Sequence, residues 1–271
     1  NNTPLRPREQ GMEPNQHYTC VIVGSGFSGI CLAIRLKQQG IDDFLILEKA
    51  DALGGTWRDN HYPGAECDVP SALYSFSFET KTDWNYQWSE QPQILEYIGN
   101  TARKHGVVEH IRFGSELRAA DYDAATGTWL LTLGNGSVLS AQFLVSAVGQ
   151  LHLPQIPQIP GSESFPGPRF HSANWDHTVD LRGKTVAVIG NAASAVQFVP
   201  VVAEQAGQLL VFQRSANWVS QKRDRRYTER EKKLLRLFPF AKRLARLRIY
   251  LRNELFIYPA FKGSRFNKWL L

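Results

Sequence analysis

Apolar residues along this chain fall into blocks whose period changes in a recognisable order. Residues 18–23, Tyr-Thr-Cys-Val-Ile-Val, form a short unbroken apolar run that predicts a buried strand. Glycines follow, and then Ile30, Ala33, Ile34 and Leu36 recur at helical spacing up to Gly40, which ends the helix. Phe44–Leu47 is a second apolar run of strand length. This order of strand, glycine turn, helix and strand predicts a βαβ unit. A loop-rich aromatic stretch at 54–90 and a helix at 91–105 come next. Runs at 115–122, 127–133 and 137–141 predict a meander that turns at Asn135-Gly136, and 143–149 predicts a further buried strand.

Residues 151–161 carry three prolines among apolar residues and predict a stiff connection between domains. A second βαβ unit follows, with strands at 185–190 and 209–213 around a helix at 193–206. The pattern predicts an α/β protein. Its expected parts are a flexible tail at 1–16, a first nucleotide-binding domain at 17–160, and a second at 161–271 that includes a basic helical segment at 222–271.

Each βαβ unit opens with a candidate phosphate cradle. The first holds Gly24, Ser25, Gly26, Phe27, Ser28 and Gly29, the GxGxxG spacing that permits a tight turn, close backbone approach to a pyrophosphate and close helix–strand packing. Glu48 stands 19 residues after Gly29, where a carboxylate would bind a ribose diol. The second holds Gly190, Asn191, Ala192, Ala193, Ser194 and Ala195. Here Ala192 replaces the middle glycine and its methyl crowds the approach of phosphates. Arg214 lies 19 residues after Ala195, with Ser215 beside it. A guanidinium at that place grips a ribose 2′-phosphate, which a carboxylate would repel. The opposite charges point to FAD in the first site and NADP in the second.

Two longer strings carry a family resemblance. Residues 54–68 contain Gly54, Gly55, Thr56, Trp57, Asp59, Tyr62, Pro63, Gly64 and Asp68, and resemble the GGxWxxxxYPGxxxD string of Baeyer–Villiger monooxygenases. Residues 165–176 carry Phe165, Gly167, His171, Trp175 and Asp176, and resemble the same family's FxGxxxHxxxWD fingerprint. Residues 71–78 and 212–218 also resemble it. The resemblance implies two Rossmann-like domains, the FAD domain interrupted by the NADP domain. It implies reduction of flavin by NADPH and oxygenation of a ketone through a C4a-peroxyflavin, giving an ester or lactone. Thr56, Trp57, Asp59, Asp68 and Tyr74 are implied on the flavin side, and Asp68 is also implied as the acid paired with a catalytic arginine. His171 and Trp175 are implied as parts of the hinge joining the domains. No residue here matches the motif of that arginine. The resemblance therefore implies further chain beyond Leu271 to complete both domains, and the 271 residues alone are expected to bind FAD poorly. An N- or S-oxidising flavin monooxygenase, and a non-catalytic nucleotide-binding or membrane-surface module, remain alternatives.

Composition adjusts this picture in three places. The net charge of +6 is local, because residues 222–268 hold 16 of the 31 Lys/Arg and only 4 of the 25 Asp/Glu. Within that segment Phe240, Leu244, Leu247, Leu251, Leu255 and Tyr258 recur at steps of three and four. Such a helix suits a membrane surface or packing on its own protein; packing is expected, and no nucleic-acid partner. The three cysteines form no CxxC pair, and the first twenty residues lack a signal-peptide pattern, so reduced thiols and a cytoplasmic location are expected. The seven histidines show no metal-ligand spacing, so no metal is expected.

Overall fold

The computed structural model describes residues 16–219, 222 and 224–257. Contacts gather the chain into two compact units, one of residues up to Tyr62 with Ile94–Val179, the other of Pro63–Gln93 with Asp180 onward. These differ from the two stretches drawn from sequence. Residues 63–93 group with the later part because long-range bonds hold them there: the Gln197 amide takes Glu66, and Arg246 Nη1 donates to the Ala72 carbonyl at 2.7 Å.

In the first unit, strands β1 (His17–Val23) and β2 (Phe44–Leu47) flank helix α1 (Phe27–Gln38). A short helix α2 (Thr56–Asp59) and helix α3 (Gln91–Lys104) follow, then β3 (Ile111–Arg112), β4 (Leu117–Asp123), β5 (Thr128–Leu133) and β6 (Val138–Ser146). The sheet order is β3-β2-β1-β6-β5-β4. β1 runs parallel to β2 and β6, and β5 pairs antiparallel with both β4 and β6. One sheet face packs Val21, Leu45 and Leu47 against Leu131, Leu133, Leu139 and Ala141 from the meander. Ile22 and Ile46 of the strands, Ile30 and Ile34 of α1, and Ile94 and Ile98 of α3 are fully buried. Each contributes roughly 1.5–3 kcal/mol through removal from water.

Two expectations need correction. The runs at 137–141 and 143–149 are one strand, β6, because it hydrogen-bonds to β5 with its first half and to β1 along its length. It is also not buried throughout: alternation places Phe143 outward at 56% exposure. The Asn135-Gly136 turn is present, with Asn135 Oδ1 accepting from the Ser137 amide at 3.0 Å and Gly136 at φ +82.

In the second unit β7 (Thr185–Ile189) and β8 (Gln208–Phe212) pair in parallel around helix α4 (Ala193–Ala203). Helix α5 (Glu229–Leu237) starts at a capping box, Thr228 Oγ1 accepting from the Glu231 amide while the Glu231 carboxylate accepts from the Thr228 amide. Pro239 then opens helix α6 (Pro239–Arg252). The described residues leave the apolar row on this segment uncovered. Phe240 is 81% and Leu244 66% exposed, and Leu247, Leu251 and Leu255 are exposed too. The face of α6 turned to the unit is instead the one carrying Arg246, which spends its guanidinium on Ala72 and Ser75. Tyr258 lies outside the described residues. No described helix is long and apolar enough to cross a membrane.

Candidate functional site

The first cradle follows from three glycines with different duties. Gly24 sits at φ +105, and a Cβ there would lie 2.6 Å from the Ala147 carbonyl oxygen. A Cβ on Gly29 would collide with the Gly24 carbonyl, so the helix can begin this close to the turn only with glycine. Gly26 is the N-cap of α1 and offers no side-chain oxygen to the first N–H groups of the helix. Phe27 and Ser28 complete that first turn. The second glycine string meets the first: the Gly54 amide donates to the Ser25 carbonyl at 3.1 Å, and a Cβ on Gly55 would lie 3.2 Å from Gly26 Cα. Two bare backbone segments thus face each other at a helix N-terminus with its partial positive charge, an arrangement that fits a dinucleotide pyrophosphate.

Glu48 ends β2 nearby, 4% exposed. Its Oε2 accepts from the Ser25 amide at 3.0 Å and from Ser25 Oγ at 2.6 Å. Its Oε1 accepts from the Ala50 amide at 3.0 Å and pairs with Arg58 Nη1 at 3.1 Å. Burial alone would push this carboxyl up; the hydrogen bonds from Ser25 and Ala50 and the Arg58 charge overcome it and hold it below the usual glutamate range. The carboxylate ties the cradle turn to the Gly54-Gly55 string, since Arg58 belongs to α2, as do Thr56, Trp57 and Asp59. Arg58 also pairs with Asp59 at 2.7 Å. A ribose taken by Glu48 would share the carboxylate with these donors.

The fingerprint residues lie in the same unit. His171 Nδ1 accepts from the Ala173 amide at 3.1 Å, capping a short turn at Ser172–Asn174. Trp175 meets Phe170 edge-on at 5.2 Å. Asp176 Oδ1 accepts from the Thr178 amide and hydroxyl at 2.9 and 2.6 Å. A Cβ on Gly167 would lie 2.7 Å from the Phe165 ring. These contacts fix the local backbone at 165–178.

In the second unit Gly190 takes φ +108 and Ala192 is the N-cap of α4, again without a side-chain cap. Ala193, Ser194 and Ala195 form the first turn, with Ala195 buried. Asn191 Nδ2 donates to Gln213 Oε1 at 2.9 Å and to the Ser215 carbonyl at 2.8 Å, and Asn217 Nδ2 donates to the Asn191 carbonyl at 3.0 Å. These bonds lock the turn after β7 to the turn after β8. Arg214 is exposed, and among the described residues no ion pair or hydrogen bond occupies its guanidinium. A cation on this turn, whose neighbours Gln213 and Ser215 are bonded to Asn191, fits a phosphorylated dinucleotide.

Asp68 and Tyr74 belong to the second unit. Tyr74 is half-buried, its amide donating to the Pro70 carbonyl at 3.1 Å. Asp68 is exposed and its Oδ1 accepts from Gln197 Nε2 at 3.2 Å.

A family model described as pyridine nucleotide-disulphide oxidoreductase matches residues 21–253, which spans both cradles. The chain belongs to this family. Within the family its likeness is to Baeyer–Villiger monooxygenases. It is 44% identical over 232 residues to a Baeyer–Villiger monooxygenase of Streptomyces coelicolor, covering 86% of this chain and 44% of that relative. It resembles a solved OTEMO complex with FAD and NADP at 34% identity and a TM-score of 0.76, covering 81% of this chain and 43% of that one. A cyclohexanone monooxygenase from Rhodococcus sp. Phi1 bound to NADP+ is similar at 32% identity and a TM-score of 0.77, covering 82% and 43%. The chain thus spans less than half the length of the relatives it matches.

Three contacts that build the sites are not legible in the sequence. Ser25 and Arg58 hold Glu48, and Gln197 holds Asp68. Ser25 and Arg58 occupy positions that neither glycine pattern specifies, and only the fold brings both to Glu48. Among the described residues no group of three or more His, Cys, Asp or Glu side chains is placed to hold a metal.

Proposed function

We propose that the protein carrying this chain is an FAD-dependent, NADPH-using monooxygenase that inserts one atom of O2 beside a ketone carbonyl. The balance is ketone, O2, NADPH and a proton giving ester or lactone, NADP+ and water. The single observation behind this reading is the pair of cradles with opposite charge in a chain similar to Baeyer–Villiger monooxygenases: Glu48 buried beside Gly24–Gly29, and exposed Arg214 on the turn that Asn191 ties to the second cradle. The bound flavin would accept a hydride and supply the activated oxygen.

The chain's own residues do the binding. The first turn of α1 and the facing Gly55 backbone take the FAD pyrophosphate, with Glu48 toward the ribose. The first turn of α4 takes the NADP pyrophosphate, and Arg214 with Ser215 takes the 2′-phosphate. Thr56, Trp57, Asp59 and Tyr74 serve the flavin side, and Asp68 is the acid that orients a cationic partner during oxygenation. His171 and Trp175 shape the connection between the domains. Ketone and O2 are the small-molecule partners, and the working location is the cytoplasm.

Incubation of the full protein with NADPH, O2 and cyclohexanone, followed by product analysis, tests the reading. Lactone is the expected product. N- or S-oxides from amine or sulfide probes with no lactone would assign the heteroatom-oxidising reaction instead.

A further inference from the structure

Helix α4 turns Ala195, Phe198 and Val202 into the core of its unit, all buried. On another side it receives the segment at 64–69. Gly64 makes this possible: it sits at φ +77, and a Cβ there would lie 2.7 Å from the Gln197 carbonyl oxygen and 3.2 Å from Val201 Cγ2. With the backbone this close, the Gln197 side chain lies along the segment as a neighbouring strand would. Its Oε1 accepts from the Glu66 amide at 3.3 Å, and its Nε2 donates to the Glu66 carbonyl at 3.0 Å. The remaining N–H of that amide donates to Asp68 Oδ1 at 3.2 Å.

The rest of the segment is held from elsewhere. The Cys67 amide donates to the Ser89 carbonyl at 2.9 Å, and Lys222 Nζ donates to the Cys67 carbonyl at 3.0 Å while pairing with Glu66 Oε1 at 2.6 Å. None of these bonds reaches the Asp68 carboxylate. Among the described residues, Gln197 supplies the one hydrogen bond that fixes it. An exposed aspartate with a single neutral donor has its rotamer set by that donor.

We propose that Gln197 is a positioning residue that orients Asp68 for oxygenation, and that it does so from the helix whose first turn receives the nicotinamide nucleotide. This rests on the reading of Asp68 given above. Gln197 lies one helical turn beyond Ala193, so a shift of α4 on nucleotide binding would be transmitted to Asp68 through one amide. The residue touches neither nucleotide nor substrate in this role; it acts through the carboxylate.

A double-mutant cycle in the full FAD-loaded protein tests this, with Gln197→Met, Asp68→Ala and the double variant assayed with cyclohexanone and NADPH. Methionine keeps the length and bulk of glutamine and removes the amide. A hydrogen bond to a charged group corresponds to a change of roughly 10- to 150-fold, so kcat for ester formation should fall by at least about 10-fold in Gln197→Met. KM for NADPH should change by less than about 2-fold, more hydrogen peroxide should form per NADPH, and the double variant should be no slower than Asp68→Ala alone. Losses that multiply in the double variant, or wild-type ester yield in Gln197→Met, would overturn the proposal. A Gln197→Met protein that does not fold would make the amide structural and overturn it too, unless Gln197→Ala folds and reproduces the expected cycle. Wild-type protein that forms no ester would refute the function itself, which sets that failure apart from failure of the positioning role alone.

Discussion

Replacing Glu48 by alanine should strongly destabilise the first unit. The structure sets the magnitude. Glu48 accepts three hydrogen bonds, from the Ser25 amide, Ser25 Oγ and the Ala50 amide, and pairs with Arg58 at 3.1 Å. Both side chains of the pair are largely withdrawn from water, at 5% exposure for Glu48 and 16% for Arg58. Removing the carboxylate takes the acceptor from the Ser25 and Ala50 donors and one of two carboxylate partners from Arg58, which keeps Asp59, and together this costs roughly 3–5 kcal/mol. Arg58→Met should cost less, about 1–3 kcal/mol, because Glu48 keeps its three hydrogen bonds. Urea unfolding of the full protein, followed by tryptophan fluorescence, measures both. The Glu48 carboxyl is held below its ordinary range by Ser25, Ala50 and Arg58 against the opposing effect of burial. Its contribution is therefore complete above the ordinary glutamate pKa and is lost as pH falls through the lowered folded value. The gap between wild type and Glu48→Gln should narrow in acid. A Glu48→Ala protein within about 0.5 kcal/mol of wild type, or a gap that widens in acid, would refute the network account.

Arg214→Ala should weaken NADPH by roughly 10- to 150-fold and leave NADH nearly untouched, since only the former carries a 2′-phosphate; an unchanged ratio of kcat/KM for flavin reduction would place the 2′-phosphate elsewhere. Gly55→Ala should lose about 1–3 kcal/mol through backbone strain and most of its flavin, because Gly55 holds φ +53 and faces Gly26; a normal ratio of flavin to protein absorbance would contradict the cradle. Burial pushes the Cys67 thiol up to about 11, so the native protein should resist alkylation there at pH 8 while the urea-unfolded chain reacts; equal rates by mass spectrometry would exclude a buried thiol.

Elements specified by local pattern were legible before the structure. The run of apolar residues ending at Val23, the spacing of Ile30, Ala33 and Ile34, and the glycines at 24, 26 and 29 define β1, α1 and the turn between them, because each is set by steric rules acting over a few residues. The second cradle was legible in the same way despite Ala192. Pairings over long separations were not. Nothing local says that β6 runs unbroken from Val138 to Ser146, since its two halves satisfy different neighbours. The orientation of α6 was missed because its apolar row and its anchoring residue compete: Arg246 finds three oxygens on Ala72 and Ser75, and that contact turns Phe240 and Leu244 outward. Gln197 carries no catalytic chemistry of its own, so only its distance to Asp68 marks it.

The proposed reaction places one atom of molecular oxygen beside a ketone carbonyl. The most direct measurement is mass analysis of the product formed by the full protein from cyclohexanone and NADPH under 18O2. Caprolactone carrying one 18O in its ring and an unlabelled carbonyl oxygen is expected, with formation dependent on bound FAD. Lactone without label, or consumption of NADPH that yields only hydrogen peroxide with every ketone tried, would contradict it.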